Sequence, residues 1–354
     1  METSKKNQLI GLDIGSHSIK LVEIEHGKKG PVLKNLGIMG LPHEAIFEGS
    51  IKEPEIVSSA VRNLFRNLRV KNKNVATSVS GFSVIVKKIT LDSQAESTLE
   101  ATIQEEAEQY VPFDMAEVNL DFDILPTEEA GGDGSTQMDI MLVAAKKDVV
   151  ESYAGLLVMA GLNPAVIDVD VFALQNAFEL IDPSSKGSHA LVNVGAEELG
   201  INMLKDGVAL FTRDSSYGGA QLTRALMREF DVSFEDAEKI KLGGKQVEGG
   251  DKRLEKIFKD AVSEWSNEIK RALDFVASTH PGQTFDAIHL SGGSSRIPGF
   301  AEYLETMTKI PVKRFNPFAA LAVNEKAMDP AYLDYMSPQS AVAVGLALRS
   351  IGDK

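Results

Sequence analysis

Ile10-Gly11-Leu12-Asp13-Ile14-Gly15-Ser16-His17-Ser18-Ile19-Lys20 reads as a strand, a tight turn and a second strand. Leu12 and Ile14 alternate with Asp13, the stretch Gly15 to Ser18 breaks the pattern, and Ile19 to Ile24 resumes it. Gly15 lets the backbone come close to whatever lies above the turn, and the amides of Ser16, His17 and Ser18 can form an anion-binding concavity. Such a concavity suits a phosphate. Asp13 at its edge suits a magnesium ion held through its water shell, and Lys20 can neutralise phosphate charge. Taken alone, the segment fits an ordinary hairpin with a glycine turn equally well.

The same pattern recurs at Ala190 to Leu204, where Asn193 stands in the place of Asp13 and Gly195 in the place of Gly15. A third glycine loop, Ser291-Gly292-Gly293-Ser294-Ser295-Arg296, lies between an expected buried strand at Phe285–Leu290 and an expected helix at Pro298–Thr306. Strand, glycine loop, helix is where α/β sheets bind ligands. Gly218-Gly219 opens an expected helix to Phe230, whose first amides could face an anion or could simply form a lead-in turn.

The composition narrows the function classes. The chain has 354 residues, 43% of them apolar, so two or more lobes are expected. A formal net charge of −14 without a basic patch argues against a nucleic-acid partner. Cysteine is absent, which removes disulfides, thiolate nucleophiles and zinc–thiolate sites. The six histidines show no ligand spacing, and no nucleophile-elbow motif occurs. Residues 1–8 lack the apolar core of a signal peptide, and the run Ala341 to Leu348 is too short to span a bilayer. Membrane association is therefore expected only through a partner.

Periodicity lays out the rest. After the opening hairpin come a strand at Val32–Leu41, a helix at Glu55–Leu68 with its stripe at Ile56, Ala60, Leu64 and Leu68, and a strand at Val75–Val79. From Val84 to Leu162 the order strand, helix, strand, strand, helix describes an inserted subdomain. Its two middle strands are joined by a polar glycine-rich loop at Glu128–Gly134, read as a flexible tip. Asp182–Ser188 has linker composition. The expected division is a first lobe over 8–83 and 163–182 with the insertion at 84–162. The second lobe covers 188–218 and 285–354, with a helix-rich part at 219–284.

Together the loops at Asp13–Lys20, Asn193–Glu197 and Ser291–Arg296, with helices near Val169–Phe178 and Ser340–Leu348, resemble the nucleotide signature of the actin, heat-shock chaperone and sugar-kinase superfamily. The expected fold class is thus α/β and actin-like, with two duplicated lobes around a nucleotide cleft. The insertion is similar in placement to that of the cell-division protein FtsA. Glu105-Glu106-Ala107-Glu108-Gln109-Tyr110-Val111-Pro112-Phe113, Asn119-Leu120-Asp121-Phe122, Ile167-Asp168-Val169-Asp170 and Ala237-Glu238-Lys239-Ile240-Lys241 resemble the PilM family of type IV pilus assembly proteins.

The resemblance implies ATP and magnesium between the lobes. Asp13 would order the magnesium water shell, Gly15, Ser16 and Ser18 would grip the terminal phosphates with the His17 backbone beside them, and Lys20 would pair with them. Gly195, Ala196 and Glu197 would offer amides, and Gly219 would stand at a helix start. Glu238 and Lys241 match positions at ribose or adenine, and Gly292, Gly293, Ser294 and Arg296 match the adenosine loop. Asn193 departs from the usual aspartate and would be at most a weak metal contact. Its neutral amide cannot lend charge to a metal-bound water, so slow or negligible turnover is expected.

The resemblance also implies a scaffold at the cytoplasmic face of the bacterial inner membrane. It would bind the cytoplasmic N-terminal peptide of PilN, in a groove sought between the first lobe and the insertion, and self-association remains open. Two other classes stay in view. A small-molecule kinase would use Asp168 or Asp170 as general base, and an FtsA-like filament former would require a membrane-targeting tail after Arg349.

Overall fold

A computed structural model gives the chain's structure, describing residues 8–27, 30–126, 137–247, 251–324, 326 and 328–353. The loop expected at Glu128–Gly134 lies outside the described residues. The chain opens on β1 (Ile10–Ile14), β2 (Ser18–Gly27) and β3 (Gly30–Gly40), an antiparallel meander in which Asp13 stands opposite Lys20. A small hairpin, β4 (Ile46–Phe47) and β5 (Ser50–Ile51), leads into α1 (Pro54–Asn67) and then β6 (Asn74–Val79), which runs parallel to β1. Pro54 begins α1, where its missing N–H costs no helical bond. The buried face of α1 is Val57, Val61, Leu64 and Phe65, so the stripe expected at Ile56, Ala60, Leu64 and Leu68 is rotated and Ile56 points outward. Both sets have helical spacing, and packing against the sheet selects the one with the β-branched and aromatic residues.

Between β6 and β10 (Asn163–Val169) the chain inserts β7 (Val84–Asp92), α2 (Glu96–Ala107), β8 (Val118–Ile124), β9 (Gln137–Lys146) and α3 (Lys147–Met159). The three strands form their own antiparallel sheet in the order β7-β9-β8, on which Leu99, Ile103 and Ala107 of α2 bury their stripe. After β10, α4 (Asp170–Ile181) ends the first half.

The second half repeats this path. β11 (Ser188–Val194), β12 (Leu199–Lys205) and β13 (Val208–Ser215) form a meander. Then α5 (Gly219–Phe230), α6 (Phe234–Lys241) and α7 (Asp251–Thr279) lead to β14 (Ala287–Ser291), parallel to β11. Ser233 caps α6 by accepting from the Asp236 amide at 3.2 Å. Trp265 of α7 is fully buried edge-on to Phe300 of α8 (Phe300–Thr308) with ring centroids 5.4 Å apart, a core role. The half closes with β15 (Val312–Arg314), β16 (Ala322–Val323), α9 (Pro330–Met336) and α10 (Ala341–Ala347).

The sheets run β3-β2-β1-β6-β10 and β13-β12-β11-β14-β15, the same topology twice, with β16 added to the outer edge of β3. That addition corrects the expectation that 285–354 belongs wholly to the second lobe. Ala322 and Val323 pair with Val32 and Leu33, Ser350 bridges to Gln8, and α10 packs against β1 and α4. The reason is close approach. A Cβ on Gly11 would sit 2.1 Å from the Ala343 carbonyl oxygen, and one on Gly345 would sit 1.6 Å from that of Ala173. All seven residues of α10 are buried, and its valines and leucine each contribute about 1.5–3 kcal/mol to the interface.

Gly345→Ala therefore forces two helix backbones apart and should destabilise the chain by more than the roughly 1–3 kcal/mol of ordinary overpacking. Gly155→Ala in α3, where an added Cβ meets nothing within 4 Å, should be neutral or stabilising by up to about 1 kcal/mol. Thermal denaturation of the two variants side by side checks this.

Candidate functional site

The first turn is closed by the Gly15 amide donating to the Ser18 carbonyl at 3.2 Å. Behind it Lys20 Nζ lies 3.1 Å from Asp13 Oδ2, with both side chains largely buried. A Cβ on Gly15 would stand 3.2 Å from that ammonium, so the bare backbone keeps the lysine at the turn. The second turn has the same closure, Gly195 N donating to Glu198 O at 2.8 Å. The third loop is tied to it, since Ser294 Oγ donates to Gly195 O at 2.7 Å and Ser291 Oγ to Asn193 Oδ1 at 3.3 Å. Gly292 has φ +89°, and a Cβ there would lie 2.3 Å from the Val194 carbonyl oxygen. Only glycine fits that crossing.

One cleft of about 690 Å³ gathers these parts. It is lined by Asp13, Gly15, Ser16, His17, Ser18 and Lys20, by Asn193, Gly195, Ala196 and Glu197, by Gly292, Gly293, Ser294 and Arg296, and by Glu238 and Lys241 of α6. Gly219 stands apart from this set. Its amide donates to Gly195 O at 3.0 Å and that of Ala220 to Ala196 O at 2.7 Å, so the first amides of α5 are spent on the second turn and do not face an anion. A Cβ on Gly219 would press on Ser294 Oγ and on Lys241, so the residue lets α5 back the wall from behind. Lys241 Nζ donates to Glu238 and, at 3.0 Å, to Thr223, whose hydroxyl also donates to Glu238. Burial alone would raise the Glu238 pKa, but the Lys241 ammonium and these hydrogen bonds hold it below the usual carboxylate value. The His17 side chain is about half exposed; its ring lies tilted against that of Phe234 with centroids 5.7 Å apart, and its Nε2 lies 4.0 Å from Glu238. His43 lies tilted against the same ring at 4.9 Å, so two histidines of the first half meet one phenylalanine of the second.

Sequence reasoning missed the acidic seam below the turns. Glu198 accepts from Ser80 Oγ, Asp214 accepts from the Gly81 amide at 3.2 Å, and Glu197 accepts from the Glu48 amide at 2.8 Å, each bond joining the two halves. Burial pushes the Glu198 carboxyl up to about 7, with Asp214 adding to the rise and Ser80 opposing it. Asp214 is also raised, by burial. Asp170 is raised by burial and by the neighbouring Asp13 carboxylate, against a hydrogen bond with Ser78. No glycine loop or motif marks Glu198 or Asp214, and only the folded contact with Ser80-Gly81 reveals them. Among the described residues, no group of three or more acidic or histidine side chains is arranged to cage a metal.

A second cavity, about 540 Å³, lies between the inserted sheet and the first lobe, with the β12–β13 turn at one end. Val143 and Ala145 of β9 and Ile167, Val169 and Phe172 supply its apolar wall, and Asn119, Asp121 and Asp123 of β8 its polar one. β8 is an edge strand, unpaired on its outer side among the described residues. Asp168 faces this groove, 3.5 Å from Arg349, and its amide neighbour Val169 donates to it at 2.7 Å. Asp168 thus lies away from the cleft, whereas Asp170 lines it.

Duplicated sheets, a cleft between them and an insertion in the first crossover define a protein of the actin-like fold. A profile described as type IV pilus assembly protein PilM matches residues 11–351, and the chain belongs to that family. It superposes on a solved PilM-PilN type IV pilus biogenesis complex with a TM-score of 0.87 at 29% identity, over 98% of this chain and 99% of that one. Crystalline MreB 5 of Spiroplasma citri bound to AMPPNP shares the fold alone, with a TM-score of 0.51 at 12% identity over 97% and 95% of the chains. Ethanolamine utilization protein EutJ of Escherichia coli (strain K12) is 28% identical over 156 residues, which span 44% of this chain and 46% of that protein. Among the described residues, no helix is long and apolar enough to cross a membrane.

The seam makes stability depend on pH. The Glu198 carboxyl is raised from 4.5 unfolded to about 7 folded, so the folded chain binds the extra proton. Its contribution is full below about pH 4.5 and is lost as pH rises through 7, on the order of 3 kcal/mol. Glu198→Gln keeps an acceptor for Ser80 and should show a shallower fall in melting temperature between pH 5 and 8 than the native chain.

Proposed function

We propose that the protein is a nucleotide-loaded scaffold of the type IV pilus machine, holding ATP and magnesium in the cleft and the cytoplasmic N-terminal tail of PilN in the groove. The observation that carries this reading is the single cleft lined by both glycine turns, Gly15 from one half and Gly195 from the other. Its volume suits a nucleotide, and Lys20 lines it beside the first glycine turn. Bound ATP would place its phosphates against the amides of Gly15 to Ser18 and of Gly195 to Glu197, with Lys20 offsetting their charge. Magnesium keeps most of its waters when bound by one or two carboxylates plus phosphates, so Asp13 and Asp170 suffice and no protein cage is needed. Bound there, the ion would neutralise phosphate charge. Asn193 supplies no charge to activate water, and turnover is slow.

The groove suits an extended tail. A free strand edge offers backbone pairing, and the apolar wall from Val143 to Phe172 offers side-chain pockets. The chain resembles the PilM-PilN complex over nearly its whole length, which supports PilN as the occupant. Through that tail the protein would sit at the cytoplasmic face of the inner membrane.

ATP should bind with magnesium and be hydrolysed well below about 1 per second. Lys20→Ala should abolish binding in calorimetry, whereas Asn193→Ala should not. A PilN tail peptide should retain the native chain in a pulldown. Val143→Trp, which fills the slot, should lose the peptide while keeping ATP. A peptide that retains nothing, with or without ATP, removes the scaffold reading.

A further inference from the structure

One contact between the halves stands apart from the acidic seam and from the α4–α10 crossing. Phe234 opens α6, and its ring meets His17 of the first glycine turn at 5.7 Å between centroids and His43 of the β3–β4 loop at 4.9 Å. The two histidines belong to one braced unit. The Leu41 amide donates to the His17 carbonyl at 2.9 Å and the Ala45 amide to the Pro42 carbonyl at 3.2 Å. Glu44, beside His43, has φ +65°, a left-handed conformation that a non-glycine residue keeps only where its surroundings hold it. Phe234 is braced from the other side, since Ser233 caps α6 and the hydrogen bonds among Thr223, Glu238 and Lys241 tie α6 to α5. His17 lines the cleft whereas His43 and Phe234 do not, which puts the contact at the rim. The contact is also weak. Burial outweighs the nearby Glu238 carboxylate and lowers the His17 pKa, so at neutral pH the imidazole is uncharged and its 4.0 Å approach to Glu238 is no ion pair. The rings meet at tilts of 41° and 59°. By contrast, the seam is joined by hydrogen bonds to buried carboxylates, and the helix crossing leaves no room for a Cβ.

We propose that Phe234, seated against His17 and His43, is a latch that holds the two halves together at the rim of the cleft and limits how fast nucleotide enters and leaves. This rests on the nucleotide reading above and adds a control on exchange. Two bodies joined at several places part first at the weakest join. With the seam and the helix crossing as the fixed side, separation of the three rings opens the cleft beside α6, and a ligand moving in either direction waits for it. The latch itself touches no ligand. It closes the cleft whether or not nucleotide is inside, so loosening it changes the rates of entry and release together and leaves their ratio, the affinity, where it was. A side chain that contacted the ligand would instead change the affinity, chiefly through release.

Stopped-flow fluorescence with N-methylanthraniloyl-ATP and magnesium on the full chain reads both rates. Phe234→Ala should raise association and release by about tenfold each and leave Kd within about twofold of the native value. His43→Ala, at an exposed position away from the cleft lining, should give the same paired rise, smaller because His17 still meets the ring. It tests the latch even if Phe234→Ala folds poorly. The chain has no cysteine, so His43→Cys combined with Phe234→Cys provides the only two thiols. Bridging them with a short bis-maleimide after loading should trap the nucleotide, with release far slower than from the native chain. Native rates in both alanine variants, or native release from the bridged pair, overturn the latch and leave the rings a structural contact. A weakened affinity with unchanged association also overturns it, making Phe234 a ligand contact. In each of these cases nucleotide still binds and the nucleotide reading stands; a native chain that binds no nucleotide overturns that reading and the latch with it.

Discussion

Everything in the molecule is arranged around one contact between two helix backbones. Gly345 of α10 meets the Ala173 carbonyl of α4 with no room for a side chain, and Gly11 of β1 meets α10 in the same way. Each helix follows the last parallel strand of its own half and then covers part of the other half. α4 packs on β11 and β12, where Asn202 Nδ2 donates to the Val171 carbonyl at 3.1 Å, and α10 packs on β1 and β2. Because the crossing is close, the two sheets are held at a distance that lets both glycine turns reach one cleft.

Around that crossing the cleft walls carry cations beside carboxylates, Lys20 with Asp13 and Lys241 with Glu238, and a further group of acids, Asp170, Glu198 and Asp214, forms the seam beneath. Burial raises the affinity of those acids for protons, and their mutual proximity adds to the rise at Asp170 and Glu198. Ser80 and Gly81 of the first half partner Glu198 and Asp214 of the second, which makes the contact between halves polar where the α4–α10 crossing is apolar. The inserted sheet touches the second half where Thr212 donates to the Val86 carbonyl, and its groove opens on the opposite end of the same β10–α4 junction: Asp168 faces the groove and Asp170 the cleft.

The sequence was informative where local pattern and structure share a cause. Alternation broken by glycine marked both hairpins because a turn that tight demands both signals, and the repetition at Asn193-Val194-Gly195 identified the duplication. The insertion was legible from its order of elements, and all but Gly219 of the expected cleft residues line one cavity. What pattern could not reveal was tertiary choice. Ile56 and Val57 are equally good helix residues, and only the sheet decides which is buried. β16 has two residues and α9 seven, too short for any periodicity. The Gly218-Gly219 pair has the composition of an anion site, yet its amides are taken by carbonyls of the neighbouring turn. Glu198 and Asp214 are ordinary acids until Ser80-Gly81 comes to meet them.

The exchange of α4 and α10 between halves has a consequence for how the chain can be divided. Cutting at the polar stretch 182–188, where composition marks a boundary, would leave a leading fragment stripped of the cover that α10 gives β1 and a trailing fragment stripped of the cover that α4 gives β12. Neither piece would own a complete interior. A proteolytic nick there would go unnoticed while the fragments remained clasped, and dissociation would expose bare strands on both. For all its internal repetition, the polypeptide is indivisible.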